Sequence, residues 1–355
     1  MVVFLSKLAV YSMESASTMA CGVMVSAIAI DPEKPEIVYV LTVTDDIYKS
    51  SNSGDSWSVV SKGISGINLV IDIENSQIIY AGRRKSIDGG KTWNSIWQTT
   101  VTTISKLMID PNNTRILYSL ITNGGVTRTK GGIYKSINGG ESWIAIGDEK
   151  LGECTAFAID INDTNVFYGY FVRKITDSFG RTKNIYGREY GATGEIFKSV
   201  DGGTTWTSSL PAYGIEALAV DPSNSAIIYA LDMQHGLYRS LDGGKRWSRI
   251  NQGLPERARF SVFAVDPLNP GTIYVGTSRG LFVNTDYYNS SWRDLGLYVD
   301  VRMLAINPQN PKNIYAVASD GDGIFKTADG GITWRHANKG LPEISCLRLS
   351  PPTWF

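Results

Sequence analysis

The sequence of 355 residues is poor in histidine and cysteine, the side chains that most often bind metals or take part in nucleophilic catalysis. It has two histidines, His235 and His336, and three cysteines, Cys21, Cys154 and Cys346, whose spacing matches no metal-binding pattern. We therefore expect no metal or other cofactor, and no catalysis by a histidine-activated nucleophile. A disulfide between Cys21 and Cys346, near the two chain ends, is one alternative for the cysteines. Unpaired buried thiols are the interpretation that we favour.

Net charge and long apolar runs are also missing. The 34 basic residues balance 34 acidic residues, so no overall field attracts nucleic acid or an anionic membrane, and we expect neither as a partner. No apolar run reaches the roughly 18 residues that a membrane-spanning helix requires. The first residues, MVVFLSKLAV, resemble a signal peptide only faintly, because Lys7 interrupts the apolar stretch and no basic residue precedes it. We interpret this segment as a strand joined to the fold.

Glycine, tyrosine and tryptophan are plentiful, with 36, 18 and 9 copies, which is typical of a turn-rich β protein. A nine-residue box, KSIDGGKTW at 85–93, combines an acid, two glycines and a tryptophan, and it recurs along the chain. The other copies are KSSNSGDSW (49–57), KSINGGESW (135–143), KSVDGGTTW (198–206), RSLDGGKRW (239–247), the degraded NTDYYNSSW (284–292) and KTADGGITW (326–334). The chain therefore contains seven copies of one structural unit.

Each unit has the same internal order. An apolar stretch ends in Asp-Pro or Asn-Pro, as in ALAVDPSN (217–224), and a second apolar stretch follows, as in IIYAL (227–231). A third stretch leads into the box, and the tryptophan opens a fourth. These short segments are rich in β-branched and aromatic residues and are separated by turn residues, so they predict strands. Four strands in roughly 40 residues are typical of a propeller blade.

The fold class that we predict is all-β, a seven-bladed β-propeller that forms a single domain over residues 1–355. One feature favours an alternative of eight blades: ISCLRLSPP (344–352) has the pattern of a further first strand, and VVFLSKLAVY (2–11) precedes the first complete unit. The two ends would then build a composite blade. In either case we expect residues 1–23 and 344–355 to contribute to ring closure, because a ring should not leave an open sheet edge.

The composition of the box predicts that it stabilises its own hairpin and does not bind a ligand. Glycine adopts the positive φ of a tight hairpin, an Asp or Asn side chain accepts hydrogen bonds from the turn, and tryptophan buries a large surface. A ligand site would not need a near-copy in every blade. The predicted structural residues are Asn52, Asp88, Asn138, Asp201, Asp242, Asp286, Asp329, Trp57, Trp93, Trp143, Trp206, Trp247, Trp292 and Trp334.

These copies resemble the Asp box, or bacterial neuraminidase repeat, with the pattern S-x-D-x-G-x-T-W. The resemblance covers roughly residues 24–350. Such repeats occur in sialidases, sortilin-type receptors, xyloglucanase-type glycoside hydrolases and photosystem II assembly factors. The resemblance implies a propeller whose boxes are structural and lie on the face opposite the ligand-binding face, and it favours an extracytoplasmic location. It says little about function, because one fold hosts unrelated activities.

Candidate ligand-binding residues lie in the hairpins between the second and third strands, on the face opposite the boxes. The insertion of blade 4, at 172–195, is longer than the repeat requires and mixes basic and aromatic side chains, and such loops are often functional. An aspartate at a hairpin tip has the alternative role of satisfying its own turn. The candidates are Arg83, Arg84, Arg128, Phe179, Arg181, Tyr186, Arg188, Tyr190, Asp232 and Arg279.

Two functions are compatible with these patterns. We favour a non-catalytic binding or assembly scaffold that captures a protein, peptide or glycan on the face opposite the boxes. The alternative is a glycoside hydrolase, which requires two carboxylates roughly 5–10 Å apart. Asp45 or Asp46 of blade 1 would then face Asp320 or Asp322 of blade 7.

The family resemblance supports this alternative only in part. The segment YVLTVTDDIYKS (39–50) is similar to the xyloglucanase segment that carries the catalytic base, which would fall on Asp45 or Asp46. The segment LRLSPP (347–352) is similar to the one that carries the catalytic acid, but here Arg348 stands at about the expected position of that acid. Those enzymes also place their cleft between two propellers, and this chain has room for one.

Overall fold

The computed structural model describes residues 22–97, 103–122, 132–147, 151–172, 194–212, 214–287, 291–319 and 321–343. Within these ranges the protein is all-β, with 28 strands and no α-helix. The strands form seven antiparallel sheets of four strands each, and every sheet takes its strands in chain order. The prediction of a seven-bladed propeller is confirmed.

The first three blades cover residues 25–146. Blade 1 contains β1 (Val25–Ile30), β2 (Val38–Thr42), β3 (Ile47–Ser50) and β4 (Ser58–Ser61). Blade 2 contains β5 (Leu69–Ile71), β6 (Ile79–Ala81), β7 (Arg84–Ser86) and β8 (Asn94–Ser95). Blade 3 contains β9 (Thr103–Ile109), β10 (Leu117–Thr122), β11 (Gly132–Ser136) and β12 (Ile144–Ile146).

The other four blades follow. Blade 4 contains β13 (Glu153–Ile159), β14 (Phe167–Val172), β15 (Gly194–Ser199) and β16 (Thr207–Ala212). Blade 5 contains β17 (Ile215–Asp221), β18 (Asn224–Asp232), β19 (Gly236–Ser240) and β20 (Ser248–Arg249). Blade 6 contains β21 (Phe260–Val265), β22 (Ile273–Thr277), β23 (Gly280–Asn284) and β24 (Arg293–Asp294). Blade 7 contains β25 (Val301–Ile306), β26 (Ile314–Ala318), β27 (Ile324–Thr327) and β28 (Arg335–His336).

Burial falls from the inner to the outer strands of a blade. Every residue of β1 and β2 is buried, whereas β4 has no buried residue. The inner strands lie between two neighbouring sheets, so both of their faces are covered and their sequences are nearly continuous apolar runs. The hydrophobic core is accordingly a series of clusters between adjacent blades.

The order of the strands assigns the turns to two faces. In each antiparallel blade, the hairpin between the first and second strands and the hairpin between the third and fourth strands lie at the same end. This end, the box face, carries the Asp-Pro or Asn-Pro turns and the boxes. The opposite end, the loop face, carries the hairpins between the second and third strands and the connections from one blade to the next.

Blades 7 and 1 close the ring. Val25 and Ile28 of blade 1 share a buried cluster with Met303 and Val317 of blade 7. Just before β1, Val23 forms a parallel bridge with Asp322 of blade 7. An eighth, composite blade is not found in the described part of the chain, and residues 1–21 and 344–355, which were expected to take part in closure, lie outside it. Cys21 and Cys346 lie outside it too.

The described ranges contain no helix long and apolar enough to cross a membrane. They also contain no group of three or more histidine, cysteine or acidic side chains that could hold a metal ion.

Candidate functional site

Each complete box is a closed hydrogen-bonded turn, as blade 2 illustrates. The Ser86 hydroxyl donates to Asp88 Oδ1 at 2.8 Å and accepts the backbone N–H of Gly90 at 2.8 Å. Asp88 Oδ1 accepts the backbone N–H of Thr92 at 2.9 Å, and Oδ2 accepts the Thr92 hydroxyl at 2.6 Å. Gly89 and Gly90 adopt φ values of 71° and 91°, which explains the paired glycines.

These bonds stabilise the charged form of the box carboxylates. The hydroxyl of Thr92, followed by its backbone N–H, lowers the pKa of Asp88 to about 2. In blade 4 the hydroxyl and N–H of Thr205 likewise lower the pKa of Asp201 to about 2. The carboxylates therefore already accept several hydrogen bonds from their own turns, which suits a structural role.

The tryptophans tie the boxes to their surroundings. The Trp93 indole N–H donates to Gly90 O of its own box at 3.0 Å. The Trp143 N–H reaches the preceding blade, where it donates to Ile96 O at 2.8 Å. Trp334 makes the same kind of bond to Leu295 O at 3.0 Å. The box thus joins its own hairpin to the neighbouring sheet.

The degraded box of blade 6 keeps part of this pattern. Asn284 pairs with Ile273 in the sheet, the position that a serine or, in blade 7, a threonine takes in the complete boxes, and Asn284 Oδ1 accepts the N–H of Asp286 at 2.9 Å. Tyr287 stands where the first glycine would be. Trp292 follows one residue later than in the other boxes.

On the loop face, Asp45 and Asp46 occupy a tight turn in blade 1. Asp45 has a φ of 63°, and its backbone carbonyl accepts the N–H of Ile64 at 2.6 Å. The backbone N–H of Asp46 donates to the hydroxyl of Thr42 at 3.3 Å. The Asp46 carboxylate lies near Tyr48, whose pKa is raised by burial first and by Asp46 second.

The chain segment at 22–24 runs between this turn and Asp322. Val23 pairs with Asp322 on one side, and the Met24 carbonyl accepts the N–H of Val43, next to the aspartates, at 3.3 Å. The structure therefore brings the hairpins of blades 1 and 7 to neighbouring positions with a strand of backbone between them. Asp322 is exposed, and Asp320 lies outside the described residues.

Asp232 serves the hairpin that it begins. One of its carboxylate oxygens accepts the backbone N–H groups of Gln234 and His235, both at 2.8 Å, and the other contacts His235 Nδ1 at 2.8 Å. Thr277 holds the same place in blade 6, where its hydroxyl accepts the N–H of Arg279 at 3.1 Å. The carboxylate is buried, so this geometry favours the turn-satisfying alternative for Asp232.

The basic candidates are placed unevenly. Arg83 and Arg84 are exposed on the short hairpin of blade 2, and Arg279 is exposed on the hairpin of blade 6. Six candidates lie outside the described residues, and they are Arg128, Phe179, Arg181, Tyr186, Arg188 and Tyr190.

A surface around Arg279 combines residues that the sequence patterns did not single out. Arg259 and Ser278 exchange two hydrogen bonds, from Ser278 N to Arg259 O at 2.9 Å and from Arg259 N to Ser278 Oγ at 3.0 Å. The Arg259 guanidinium lies 3.5 Å from the carboxylate of Asp300. The Leu297 carbonyl lies close against Gly280, the residue after Arg279, and Tyr298 follows Leu297 in the chain. We call Arg259, Arg279, Tyr298 and Asp300 the blade 6 surface.

A cavity of about 110 Å³ lies among the inner strands of blades 1 to 5. Its walls are mainly aliphatic, and Pro32 and Pro111 place it towards the box face. Lys106 contributes the charged group of the lining and donates from Nζ to Phe157 O at 2.7 Å. No carboxylate is among the residues that line it, so the cavity does not supply the acid pair of a glycosidase.

Known proteins share parts of this sequence, and solved structures share its fold over most of the chain. No family model matches the chain. The xyloglucanase Xgh74A of Acetivibrio thermocellus is 29% identical over 163 residues, which is 42% of this chain and 17% of that enzyme. A xyloglucanase of a Paenibacillus species is 32% identical over 103 residues, or 27% of this chain and 10% of the enzyme. The matched segments thus span less than a fifth of these relatives.

Solved structures extend the likeness over most of the chain. The GH74 xyloglucanase of Xanthomonas campestris superposes with a TM-score of 0.57 at 16% identity, over 88% of this chain and 60% of that one. YCF48 of Cyanidioschyzon merolae superposes with a TM-score of 0.58 at 12% identity, over 88% and 96% of the two chains. At such identities the likeness shows the fold. The chain is a seven-bladed β-propeller related in sequence to xyloglucanases.

Proposed function

We propose that this protein is a non-catalytic scaffold that binds a protein, peptide or glycan on the loop face. Its boxes act as structural Asp boxes and leave the loop face to the ligand. The blade 6 surface is the observation that carries this proposal, and its contacts favour a ligand that presents carboxylates or other anionic groups.

The composition of the blade 6 surface suits recognition. Tyr298 is 77% exposed, although an aromatic ring gains most when it is removed from water. The side chain of Arg259 is 63% exposed, and Arg279, which follows the Ser278 that bonds to Arg259, is exposed as well. Tyrosine and arginine are enriched in binding interfaces and dominate their energetics. The backbone bonds between Arg259 and Ser278 hold this surface in place before any ligand arrives.

A peptide is a reasonable ligand for such a fold, since a solved complex shows YCF48, which has the same architecture, bound to a D1 peptide. That complex has 12% identity to this chain and indicates only that a propeller of this kind can present a peptide-binding face. The anionic preference proposed here comes from the excess of two arginines, Arg259 and Arg279, over the single acid Asp300 in the blade 6 surface.

The second candidate, a xyloglucan-type glycoside hydrolase, is favoured by the sequence match to xyloglucanases. It would use Asp45 or Asp46 with Asp320 or Asp322. Against it stands the segment at 22–24, which runs between the two hairpins, and the commitment of the Asp45 backbone to its own turn.

Both candidates are tested with the full chain on two defined sets of probes, an array of acidic and neutral peptides and an array of oligosaccharides that includes xyloglucan fragments. The test variant is Arg279→Ala/Tyr298→Ala. The matched control is Arg246→Ala/Ile332→Ala, which removes an exposed arginine and an exposed large apolar side chain from the box face. We expect the test variant to bind an acidic probe at least about tenfold more weakly, and the control to bind as wild type.

Hydrolysis of xyloglucan fragments is measured on the same samples. Turnover that disappears in Asp45→Asn/Asp46→Asn would establish the hydrolase and reject the scaffold. Equal loss of binding in the test variant and in the box-face control would reject the blade 6 surface.

A further inference from the structure

Several blades carry the same pair of residues, a tyrosine on the second strand and a basic residue opposite it on the third. The Tyr168 hydroxyl donates to Gly243 O, the first glycine in the box of the next blade, at 3.1 Å. Lys198, directly opposite Tyr168 in the sheet, donates from Nζ to the same carbonyl at 3.4 Å. Its ammonium lies 5.2 Å from the centre of the Tyr168 ring. One carbonyl therefore serves both polar groups.

The same arrangement joins blades 2 and 3. Tyr80 and Lys85 are opposite each other and both donate to Gly139 O, at 3.5 Å and 3.1 Å. This carbonyl is available because the box turns through two glycines with positive φ. In both of these junctions the acceptor is the first glycine of an intact box in the following blade.

Blade 5 has the pair, but the following box is the degraded one of blade 6. Tyr229 and Arg239 are opposite each other in the sheet, and Tyr287 replaces the first glycine of the next box. Tyr229 is fully buried and Arg239 is 7% exposed. Neither the Tyr229 hydroxyl nor Arg239 NH1 has a hydrogen-bond partner among the residues that the structure describes.

The acid close to Tyr229, Asp221, already accepts hydrogen bonds from other side chains. Asp221 lies close enough to raise the pKa of Tyr229, although burial is the larger cause of that rise. Its carboxylate accepts the hydroxyls of Ser223, at 2.7 Å, and Tyr287, at 2.9 Å. Within the described ranges, Arg239 forms no ion pair with it or with another acid. A buried guanidinium without an anionic partner is costly, because its charge has left water without compensation.

We propose that a small monovalent anion of the chloride class binds between the Tyr229 hydroxyl and the Arg239 guanidinium, where it takes the place of the missing box carbonyl. Both groups are hydrogen-bond donors, and together they offer one positive charge and no acceptor of their own beyond the phenolic oxygen. The anion would tie blade 5 to blade 6, as a glycine carbonyl ties blade 2 to blade 3 and blade 4 to blade 5. This site is separate from the loop face and does not depend on the ligand proposed there.

The test is the melting temperature of the full chain as chloride replaces gluconate at a constant ionic strength of about 0.15 M, so that surface screening stays equal. We expect the wild-type melting temperature to rise by about 2–4 °C, because an anion that binds only the folded state stabilises it. Arg239→Gln should abolish this rise, and Tyr229→Phe should reduce it. Lys198→Gln is the matched control, since it alters the same place in blade 4 and should keep the rise.

Crystals grown with bromide supply the direct measurement, an anomalous peak between the Tyr229 hydroxyl and the Arg239 guanidinium. A wild-type melting temperature that is equal in chloride and gluconate would overturn the proposal. The same holds for a chloride-dependent rise that persists in Arg239→Gln, or for bromide bound only at exposed lysines. A failure of the binding experiments on the loop face would leave these outcomes unaffected.

Discussion

The indole N–H of Trp57 in blade 1 donates a hydrogen bond of 2.7 Å to the backbone carbonyl of Ala337 in blade 7, 280 residues along the chain. The backbone N–H of Trp57 donates to Lys339 O at 2.9 Å, so one residue makes two bonds across the closure. The indole is 6% exposed and belongs to the cluster shared by blades 7 and 1. The same tryptophan that anchors a box hairpin also closes the ring.

Replacement of Trp57 by Phe should loosen the closure. The change leaves the buried carbonyl of Ala337 without its donor, and a lost bond of this kind costs roughly 1–2 kcal/mol of unfolding free energy in addition to the lost volume. The measurement is denaturant unfolding combined with amide hydrogen exchange of residues 337–343. Trp93→Phe is the control, because Trp93 donates within its own box. Faster exchange of 337–343 in both variants would contradict the assignment.

Asp55 makes the closure sensitive to acid. It lies 2.6 Å from Lys326 Nζ and 2.7 Å from the Arg335 guanidinium, both in blade 7. The hydrogen bond from Lys326 is the main cause that lowers the pKa of Asp55. The ion pairs therefore add stability above pH 4, about the pKa of an unfolded aspartate, and this contribution is lost as the pH falls through the lower pKa of the folded state.

Asp55→Asn should thus lower the unfolding free energy at neutral pH by on the order of 1 kcal/mol, because Asp55 is half exposed while Lys326 is buried. The difference between variant and wild type should shrink below pH 4. Unfolding at a series of pH values checks this expectation, and a difference that stays constant down to pH 2 would rule out the charge as its cause.

The box of blade 4 offers a matched pair of threonines for testing the carboxylate geometry. The Thr205 hydroxyl donates to Asp201 Oδ2 at 2.6 Å, whereas the Thr204 hydroxyl donates to the backbone carbonyl of Asp201 at 3.0 Å. Thr205→Val should raise the pKa of Asp201 from about 2 towards its ordinary value near 4, and Thr204→Val should leave it low.

Carbon-detected NMR titration of the Asp201 carboxyl measures both pKa values directly. Because the pKa of Asp201 is lowered in the folded state, its contribution to stability is present above pH 4 and is lost as the pH falls towards 2. Because Thr205→Val raises the folded-state pKa of Asp201, it should narrow the pH range between about 4 and 2 over which this contribution to stability is lost. Equal pKa values in the two variants would show that the hydroxyl bond is not the cause.

The number of blades and the face of the boxes follow from the sequence because both are periodic. Seven box tryptophans, six of them preceded by glycine, mark seven hairpins, and antiparallel order then assigns the turns to faces. The degraded box is recognisable for the same reason, since Asp286 keeps its place and Trp292 is displaced by one residue around altered residues. A local motif that recurs in every blade can be recognised from a single sequence.

The loop face has no recurring sequence motif of this kind. Arg259 and Tyr298 lie in irregular connections 39 residues apart, and the ring geometry brings Arg259 and Leu297, the residue before Tyr298, to the hairpin that holds Arg279. The role of Asp232 is equally hidden, because an aspartate that caps its own turn and one that binds a ligand look alike in sequence. The backbone at 22–24, which separates Asp322 from the turn of blade 1, follows only from ring closure.

Two of the tyrosines between blades, Tyr168 and Tyr229, differ in whether their hydroxyls have a hydrogen-bond partner among the described residues. Tyr168→Phe removes one of the two donors to Gly243 O and should cost up to about 1 kcal/mol of unfolding free energy, because this part-buried carbonyl then keeps only the longer bond from Lys198. Tyr229→Phe in gluconate removes a buried hydroxyl that has no partner among the described residues, so it should be neutral or stabilising. Urea unfolding of both variants in gluconate measures the difference. If Tyr229→Phe were the more destabilising change in that buffer, the hydroxyl would have a protein partner, and the carbonyl lost from the box of blade 6 would already be replaced from within the chain.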